Sequence, residues 1–207
     1  MPYHLLYVEV QDELQTPILK GSIEMKRISI LIVLFLLGTA ALFAQEMTNA
    51  DNWFSFDDKN DGGNSKVSLT AKPEKVAGKE QFVITMTGTV TKKFQYGFIG
   101  IGYKIDKATL EKILKANTIK FKVIGDGKRY KVRFDTTDVK DFDNHLYVFS
   151  TKPGEVVEVT VSFRSFKQEG WGARKPFKKE NITQMAFQTV GQPHDSINLK
   201  VFDIRFE

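Results

Sequence analysis

Alternation of apolar and polar residues is the feature that most constrains how this chain can fold. The clearest case lies within Gly125–Asp135, where Tyr130, Val132 and Phe134 alternate with three cations. A period of two places the apolar side chains on one face of a β-strand and the charged ones on the other. A Gly-Asp-Gly turn precedes this strand, and Ile119–Val123 alternates in the same way before the turn. The pattern predicts that these two strands form a β-hairpin.

Alternating runs of this kind recur along the chain from residue 45 onward. Turn-forming residues separate them at spacings of about ten residues, which is typical of an all-β sandwich. One segment has a helical pattern instead: Asp106 can cap it, and Leu110, Ile113 and Leu114 form one stripe before Ala116. We therefore expect residues 45–207 to form an antiparallel β-sandwich of about nine or ten strands with one short helix.

The N-terminal region has the layout of a secretory signal peptide. Met25-Lys26-Arg27 is basic, an apolar run covers Ile28–Phe43, and Ala44 follows as a small residue at the exit. We expect residues 25–44 to be a signal-peptide helix that is cleaved after export to the periplasm or the cell exterior. Residues 1–24 are expected to be a non-native or disordered extension. The alternative is an uncleaved membrane anchor, although roughly 16 apolar residues are fewer than the ~20 that a span needs.

Composition narrows the possible partners. Removing residues 1–44 takes away three of the 30 basic residues and four of the 25 acidic residues. The remaining chain has 27 basic and 21 acidic residues and a net charge of +6. The charges are spread over many strands, so they favour anionic partners only weakly, and nucleic acid is not expected as a partner. The chain contains no Cys, which excludes a disulfide framework and a thiolate nucleophile.

Four stretches, taken in order, resemble the complex I intermediate-associated protein 30 family. They are Trp53 with Asp58–Ser65, Gly97–Ile101, Gly125–Tyr130, and Lys152–Glu155 with the strand that follows to Phe166. The resemblance spans roughly Trp53–Phe206 and implies a galactose-binding-like jelly roll, similar to carbohydrate-binding module family 11. Val156 departs from the pattern, because the family usually has Trp after Pro-Gly-Glu. The resemblance implies a fold more firmly than a function, because such scaffolds carry many unrelated sites.

Motifs for catalysis are missing from the sequence. It has no His-Glu-x-x-His, no Gly-x-Ser-x-Gly and no P-loop. After residue 44 the only histidines are His145, in phase with strand residues, and His194 in a turn. A hydrolase would need converging carboxylates that the sequence does not display, so we expect a protein that is not an enzyme.

One loop supplies the oxygen ligands that Ca²⁺ prefers. They come from Asp57, Asp58, Asn60 and Asp61. The spacing is not that of an EF-hand, and such clusters also form ordinary turns. A structural calcium ion and a plain loop are therefore both open, and no other cofactor is expected.

The candidate ligand-binding residues are Trp171, Arg129, Lys131, Arg133, His145 and Tyr147. Trp171 lies in a loop between two glycines, where it is either a sugar platform or a lid over the core. The outward cations of the predicted hairpin, which include Lys120 and Lys122, are expected to form one stripe. Such a stripe either binds an anionic glycan or an acidic protein surface, or is simply a solvated face.

Two functions are compatible with these features. The first is an exported, non-catalytic binding module that recognises a glycan or an acidic partner. The second is a protein-interaction or assembly factor in the cell envelope, by analogy with the family name.

Overall fold

The structure is a computed structural model that describes residues 45–191 and 193–207. In this part of the chain, two five-stranded sheets pack face to face. The first sheet has the strand order β1-β4-β9-β6-β7 and the second β2-β3-β10-β5-β8. All pairings between these strands are antiparallel. The predicted antiparallel β-sandwich is confirmed, whereas the predicted extension and signal peptide, residues 1–44, lie outside the described residues.

The strands follow the alternating runs of the sequence. Their bounds are β1 Trp53–Asp57, β2 Lys66–Val76, β3 Lys79–Val90, β4 Ile99–Lys104, β5 Thr118–Ile124, β6 Arg129–Thr136, β7 His145–Ser150, β8 Val156–Ser162, β9 Ile182–Thr189 and β10 His194–Phe206. Short 3-10 turns occupy Ala50–Asn52, Asp58–Asp61, Phe163–Ser165 and Lys179–Asn181.

The core lies between the two sheets. On β6, Tyr130, Val132 and Phe134 are 0% exposed and face inward, while the residues between them face away from the core. Phe121 on β5 meets Phe187 on β9 across the gap, with ring centroids 5.2 Å apart in an edge-to-face arrangement. Each buried aromatic removes about 150–250 Å² from water, so these contacts hold the two sheets together.

The predicted hairpin is wrong, because its two strands belong to different sheets. Strand β5 pairs with β8 and β10, and β6 pairs with β7 and β9. The turn at Gly125–Gly127 therefore carries the chain from the second sheet to the first. Asp126 holds this crossing, because its carboxylate accepts hydrogen bonds from Tyr130 Oη at 2.8 Å and from the backbone N–H of Lys128.

The expected cationic stripe is divided by the same crossing. Lys120 and Lys122 lie on the outer face of the second sheet, where they form ion pairs with Glu207 at 2.6 Å and Asp203 at 2.7 Å. The β6 cations lie on the outer face of the first sheet, on the opposite side of the sandwich. The two groups of cations cannot act on one ligand.

The predicted helix is confirmed as α1, Lys107–Lys115. Asp106 caps it by accepting a hydrogen bond from the backbone N–H of Thr109 at 2.7 Å. Ile113 is fully buried against the core, and Lys179 Nζ donates to carbonyl oxygens at the C-terminal end of the helix. No helix among the described residues is both long and apolar enough to cross a membrane.

The loop after β1 is fixed by a buried carboxylate. Asp58 is 0% exposed and accepts hydrogen bonds from the backbone N–H of Ser65 at 3.0 Å and from Ser65 Oγ at 2.7 Å. Ser65 Oγ in turn accepts from the backbone N–H of Thr91, which follows β3. A Cβ atom on Gly63 would overlap the Asp58 carboxylate, so glycine is required at that position. The loop is therefore tied to the second sheet.

Replacing Asp58 by Ala is expected to lower the free energy of unfolding by about 2–4 kcal/mol, because buried donors on Ser65 lose a charged acceptor. Urea denaturation measures the change. Asp61→Ala, in the same loop but exposed, is the control and should change stability by no more than about 0.5 kcal/mol. Similar losses in both variants would contradict the role given to Asp58.

Candidate functional site

Aromatic rings and glycines meet on the outer face of the first sheet. Phe54 and Phe56 on β1 lie directly opposite Gly102 and Gly100 on β4. A Cβ atom on either glycine would overlap the ring of the facing phenylalanine, so the two rings cover the glycine backbone. The Phe98 ring lies 6.2 Å from that of Phe56 and extends this surface. The result is an aromatic surface at one side of the face.

Polar residues from β6 and β9 continue the face beside these rings. The Arg133 guanidinium carbon lies 5.0 Å from the centroid of the Phe56 ring, a cation–π distance. Arg133 Nη2 donates to Asp135 Oδ2 at 3.3 Å, and Gln184 Nε2 donates to the same oxygen. The Arg133–Asp135 pair therefore joins the aromatic and polar parts of the face.

Three buried polar atoms on this face have no hydrogen-bond partner within the described residues. They are Arg133 Nε, Asp135 Oδ1 and Gln188 Oε1. The first two form an ion pair with each other at 3.2 Å, so Gln188 Oε1 is the one of the three that has neither a hydrogen bond nor an ion pair among the described residues. Gln188 pairs in register with both Gly100 and Lys131, so it lies between the aromatic and cationic strands. Polar atoms of this kind are costly to leave without a partner. The centre of the face therefore favours a ligand, or ordered water, that supplies hydroxyl groups.

Charges on this face largely neutralise one another. Asp135 is paired with Arg133, and Lys131 Nζ lies 3.5 Å from a carboxylate oxygen of Glu169. Burial raises the pKa of Asp135, while the Arg133 charge and the Gln184 hydrogen bond oppose the rise. Arg129 is exposed at the start of β6. The face is thus amphipathic and nearly neutral at its centre, unlike the cationic surface expected from sequence.

A hydrogen-bonded loop borders this face along β7, the last strand of the first sheet. Leu146 and Lys167 exchange two backbone hydrogen bonds, of 2.9 and 3.1 Å, which attach the loop to that edge. The carboxylate of Asp143, which is buried, accepts from the backbone N–H groups of Glu169, Gly170 and Gly172 at 2.9–3.0 Å. The loop is therefore fixed by one side chain from the segment before β7.

Trp171 sits at the centre of this loop and is 63% exposed. Asp141 adds a further bond by accepting from the backbone N–H of Ala173 at 2.6 Å, and a Cβ atom on Gly172 would overlap the Asp141 carboxylate. The backbone bonds from Ala173 and Asp143 lower the pKa of Asp141, so it stays ionised. Because Trp171 is exposed, it is not a buried lid over the core, and its role as a sugar platform stays a prediction.

His145 and Tyr147 point away from the outer face. His145 lies opposite Phe134 in register and is 3% exposed; its Nε2 is 2.9 Å from the carbonyl oxygen of Lys175. Tyr147 lies opposite Val132, on the inward side of the edge strand, and remains partly exposed. The six predicted binding residues therefore divide into the β6 cations on the outer face, Trp171 on the bordering loop, and His145 with Tyr147 on the other side of β7.

Sequence reasoning missed the residues that complete the outer face. They are Phe54, Phe56, Gly100, Gly102, Asp135, Gln184 and Gln188. The two phenylalanines and the two glycines each alternate in sequence, but their match is visible only once β1 and β4 are paired. Asp135 continues the alternation of Arg129, Lys131 and Arg133 by two residues, and that spacing was an available signal.

The four predicted calcium ligands are occupied by local contacts or exposed. Asp58 binds Ser65, and Asp57 forms an ion pair with Lys59 at 2.7 Å. Asn60 and Asp61 are exposed. Within residues 45–191 and 193–207, no group of three or more His, Cys, Asp or Glu side chains could hold a metal ion. The calcium ion stays a prediction, and the Asp58 contacts do not favour it.

Comparison with known proteins found a family model and a curated relative that are similar to this chain. The family model described as complex I intermediate-associated protein 30 matches residues 42–201. Endoglucanase 3 of Fibrobacter succinogenes is 23% identical over 160 residues, which are 73% of this chain and 24% of that protein. The chain thus spans about a quarter of the length of this curated relative.

Solved structures share the fold. A family 11 carbohydrate-binding module from Clostridium thermocellum, in complex with a β-1,3-1,4-mixed-linked tetrasaccharide, has a TM-score of 0.51 and is 16% identical, covering 78% of this chain and 91% of that one. An exo-β-agarase has a TM-score of 0.51 at 7% identity, covering 80% of this chain and 25% of that one. At these identities the comparisons show a common β-sandwich.

Replacing Asp143 by Ala is expected to release the loop that carries Trp171, because three backbone N–H groups lose their acceptor. Heteronuclear NOE values at residues 169–173 should fall, and the free energy of unfolding should drop by about 2–4 kcal/mol. Asp195→Ala, in an exposed position at the start of β10, is the matched control and should change neither. An unchanged loop in the Asp143 variant would contradict this assignment.

Asp135 should also change how the free energy of unfolding depends on pH. Its pKa in the folded state is raised above the usual 3.8. At pH values between the usual pKa and the raised one, the folded protein therefore binds more protons than the unfolded chain. Stability contributed by this residue is therefore lost as the pH rises through that window. Urea denaturation between pH 4 and 7 should show a steeper loss for the native protein than for Asp135→Asn. Asp61→Asn is the control and should follow the native curve; parallel curves for all three would contradict the raised pKa.

Proposed function

The chain belongs to the complex I intermediate-associated protein 30 family, and we propose that it is an exported, non-catalytic module that binds glycans on the outer face of its first sheet. The observation that carries this proposal is the arrangement of Phe54 and Phe56 beside the Arg133–Asp135 pair on one open face. Export rests on the signal-peptide pattern of residues 25–44.

A sugar ring has an apolar face and a rim of hydroxyl groups, and this surface offers partners for both. The rings of Phe54 and Phe56 can pack against the apolar faces of successive sugars. Arg133 can donate to a sugar hydroxyl, and Gln188 Oε1 is an acceptor atom that has no partner among the described residues. Asp135 Oδ1 is ion-paired with Arg133 Nε at 3.2 Å and adds further acceptor capacity. One long open sheet face of this kind suits a chain better than a single small molecule.

A neutral glycan fits the face better than an anionic one. Lys131 and Arg133 are both paired with carboxylates, so they offer little unneutralised charge to a polyanion. The same neutralisation disfavours an acidic protein surface as the partner. The family 11 module that shares this fold is in complex with a β-1,3-1,4-mixed-linked tetrasaccharide, and this supports a β-linked glycan, such as a β-glucan, as the ligand class.

The environment of Asp135 supports a binding role over hydrolysis. Glycoside hydrolysis generally uses two carboxyl groups on either side of the scissile bond. Among the described residues, the side chain of Asp135 contacts Arg133 and Gln184, and neither is a second carboxylate. Its role in this proposal is to orient Arg133 and to accept a sugar hydroxyl.

Isothermal titration with a β-1,3-1,4-glucan tetrasaccharide tests the proposal. Phe56→Ala and Arg133→Gln should each weaken binding at least about tenfold, or roughly 1.4 kcal/mol. Gly100→Ala should have a similar effect although it removes no contact group, because the added methyl displaces the Phe56 ring. Phe142→Ala, an exposed aromatic outside this face, is the control and should bind as the native protein does.

Absence of binding to every neutral glucan would remove the proposal. The alternative of an envelope assembly factor then gains support if affinity purification from envelope extracts recovers a stoichiometric protein partner. The Phe56 variant separates the two, since loss of that partner would assign the same face to protein binding.

A further inference from the structure

We propose that the protein has a second binding site, separate from the sheet face, that takes an acidic sugar: a ring bearing both hydroxyl groups and a carboxylate. The site is a cavity of about 520 Å³ between β7 and the loop attached to its outer edge. Its principal lining residues are His145, Phe166, Lys167, Arg174, Lys175 and Phe177. The volume lies within the range of about 300–1,000 Å³ that is usual for small-molecule sites.

Aromatic side chains supply an apolar wall of the cavity. The rings of Phe166 and Phe177 are stacked, with centroids 5.8 Å apart and planes 24° from parallel. The His145 ring lies 5.0 Å from that of Phe177. These rings continue into the core through Phe134, so the wall is rigid. Phe177 is half-buried and can offer the accessible part of its ring to the apolar face of a sugar.

His145 adds a polar atom that has no partner among the described residues. Its Nε2 is 2.9 Å from the carbonyl oxygen of Lys175, and because a carbonyl can only accept, Nε2 carries the proton. In the neutral ring Nδ1 is then an acceptor, and it is buried without a hydrogen-bond partner. A side chain that is 97% buried seldom leaves such an atom unpaired. The cavity therefore favours a ligand with an O–H group that can donate to Nδ1.

Three cations give the cavity its charge. Lys167, Arg174 and Lys175 are exposed, and within residues 45–191 and 193–207 none of them forms an ion pair within 4.0 Å. Lys175 lies in the field of Asp141, but the oxygens of Asp141 and Asp143 are already bound to backbone amides. No acidic residue lines the cavity. An anionic group on the ligand would therefore find free guanidinium and ammonium donors.

An acidic sugar satisfies all three kinds of contact. An inorganic anion pairs with the cations but has no apolar face for Phe166 and Phe177. A neutral sugar packs on the rings and donates to His145 but leaves the cations without a partner. A uronate ring supplies the apolar face, the hydroxyl donor and the carboxylate together. This assignment does not depend on the proposed role of the sheet face, whose residues are different.

Trigalacturonate is a suitable probe for the full-length protein at 150 mM salt. Titration calorimetry should show binding at least about tenfold tighter than for galactotriose, the neutral counterpart. Amide NMR signals of Gly170 and Gly172, which line the cavity, should shift, while those of Gly100 and Gly102 should not. The double substitution Arg174→Gln and Lys175→Gln should weaken binding at least tenfold, and Arg164→Gln, an exposed arginine outside the cavity, should not.

Binding measurements on a variant of the sheet face distinguish this site from that face. Phe56→Ala should leave trigalacturonate binding unchanged even where it abolishes glucan binding. The proposal is overturned by absence of trigalacturonate binding, by equal affinity for galactotriose, or by unchanged affinity in the double variant. Full competition by inorganic phosphate at equal concentration would also overturn it, because the site would then be selective for charge alone.

Discussion

The packing between the inner faces of the two sheets determines which side chains face outward in this molecule. Phe121 of one sheet packs edge-to-face on Phe187 of the other, and Tyr130, Val132 and Phe134 of β6 are fully buried between them. Because side chains alternate along a strand, a slip of one residue in β6 would move its cations into the core. Burial of these residues therefore fixes which side chains face outward, and with them the chemistry of the outer face.

The sequence predicted the sandwich well because alternation depends only on which side of a strand is buried. It did not predict the connection at Gly125–Gly127, since a strand alternates in the same way whether its neighbour lies in its own sheet or in the opposite one. The predictions of a hairpin and of a single cationic stripe are both wrong for this reason. The helix was predicted correctly because its cap, Asp106, and its apolar stripe are local signals.

The candidate site was harder to predict because its parts are distant in sequence. Phe56 and Gly100 become neighbours only through the pairing of β1 with β4. Trp171 could be singled out, because a tryptophan between two glycines is conspicuous in any loop. Asp143, which holds that loop, could not, since nothing local distinguishes it from other aspartates in a polar segment. Its role is visible only in the three N–H groups that converge on it.

The Asp143 carboxylate has a consequence for the kinetics of recognition along the β7 edge. Because the backbone around Trp171 is already ordered, a ligand that docks there loses little conformational entropy of the protein. Association then requires no loop-ordering step, so its rate is limited by orientation and diffusion rather than by a slow conformational gate. Differences in affinity among related ligands at this edge would consequently be expressed mainly as differences in residence time.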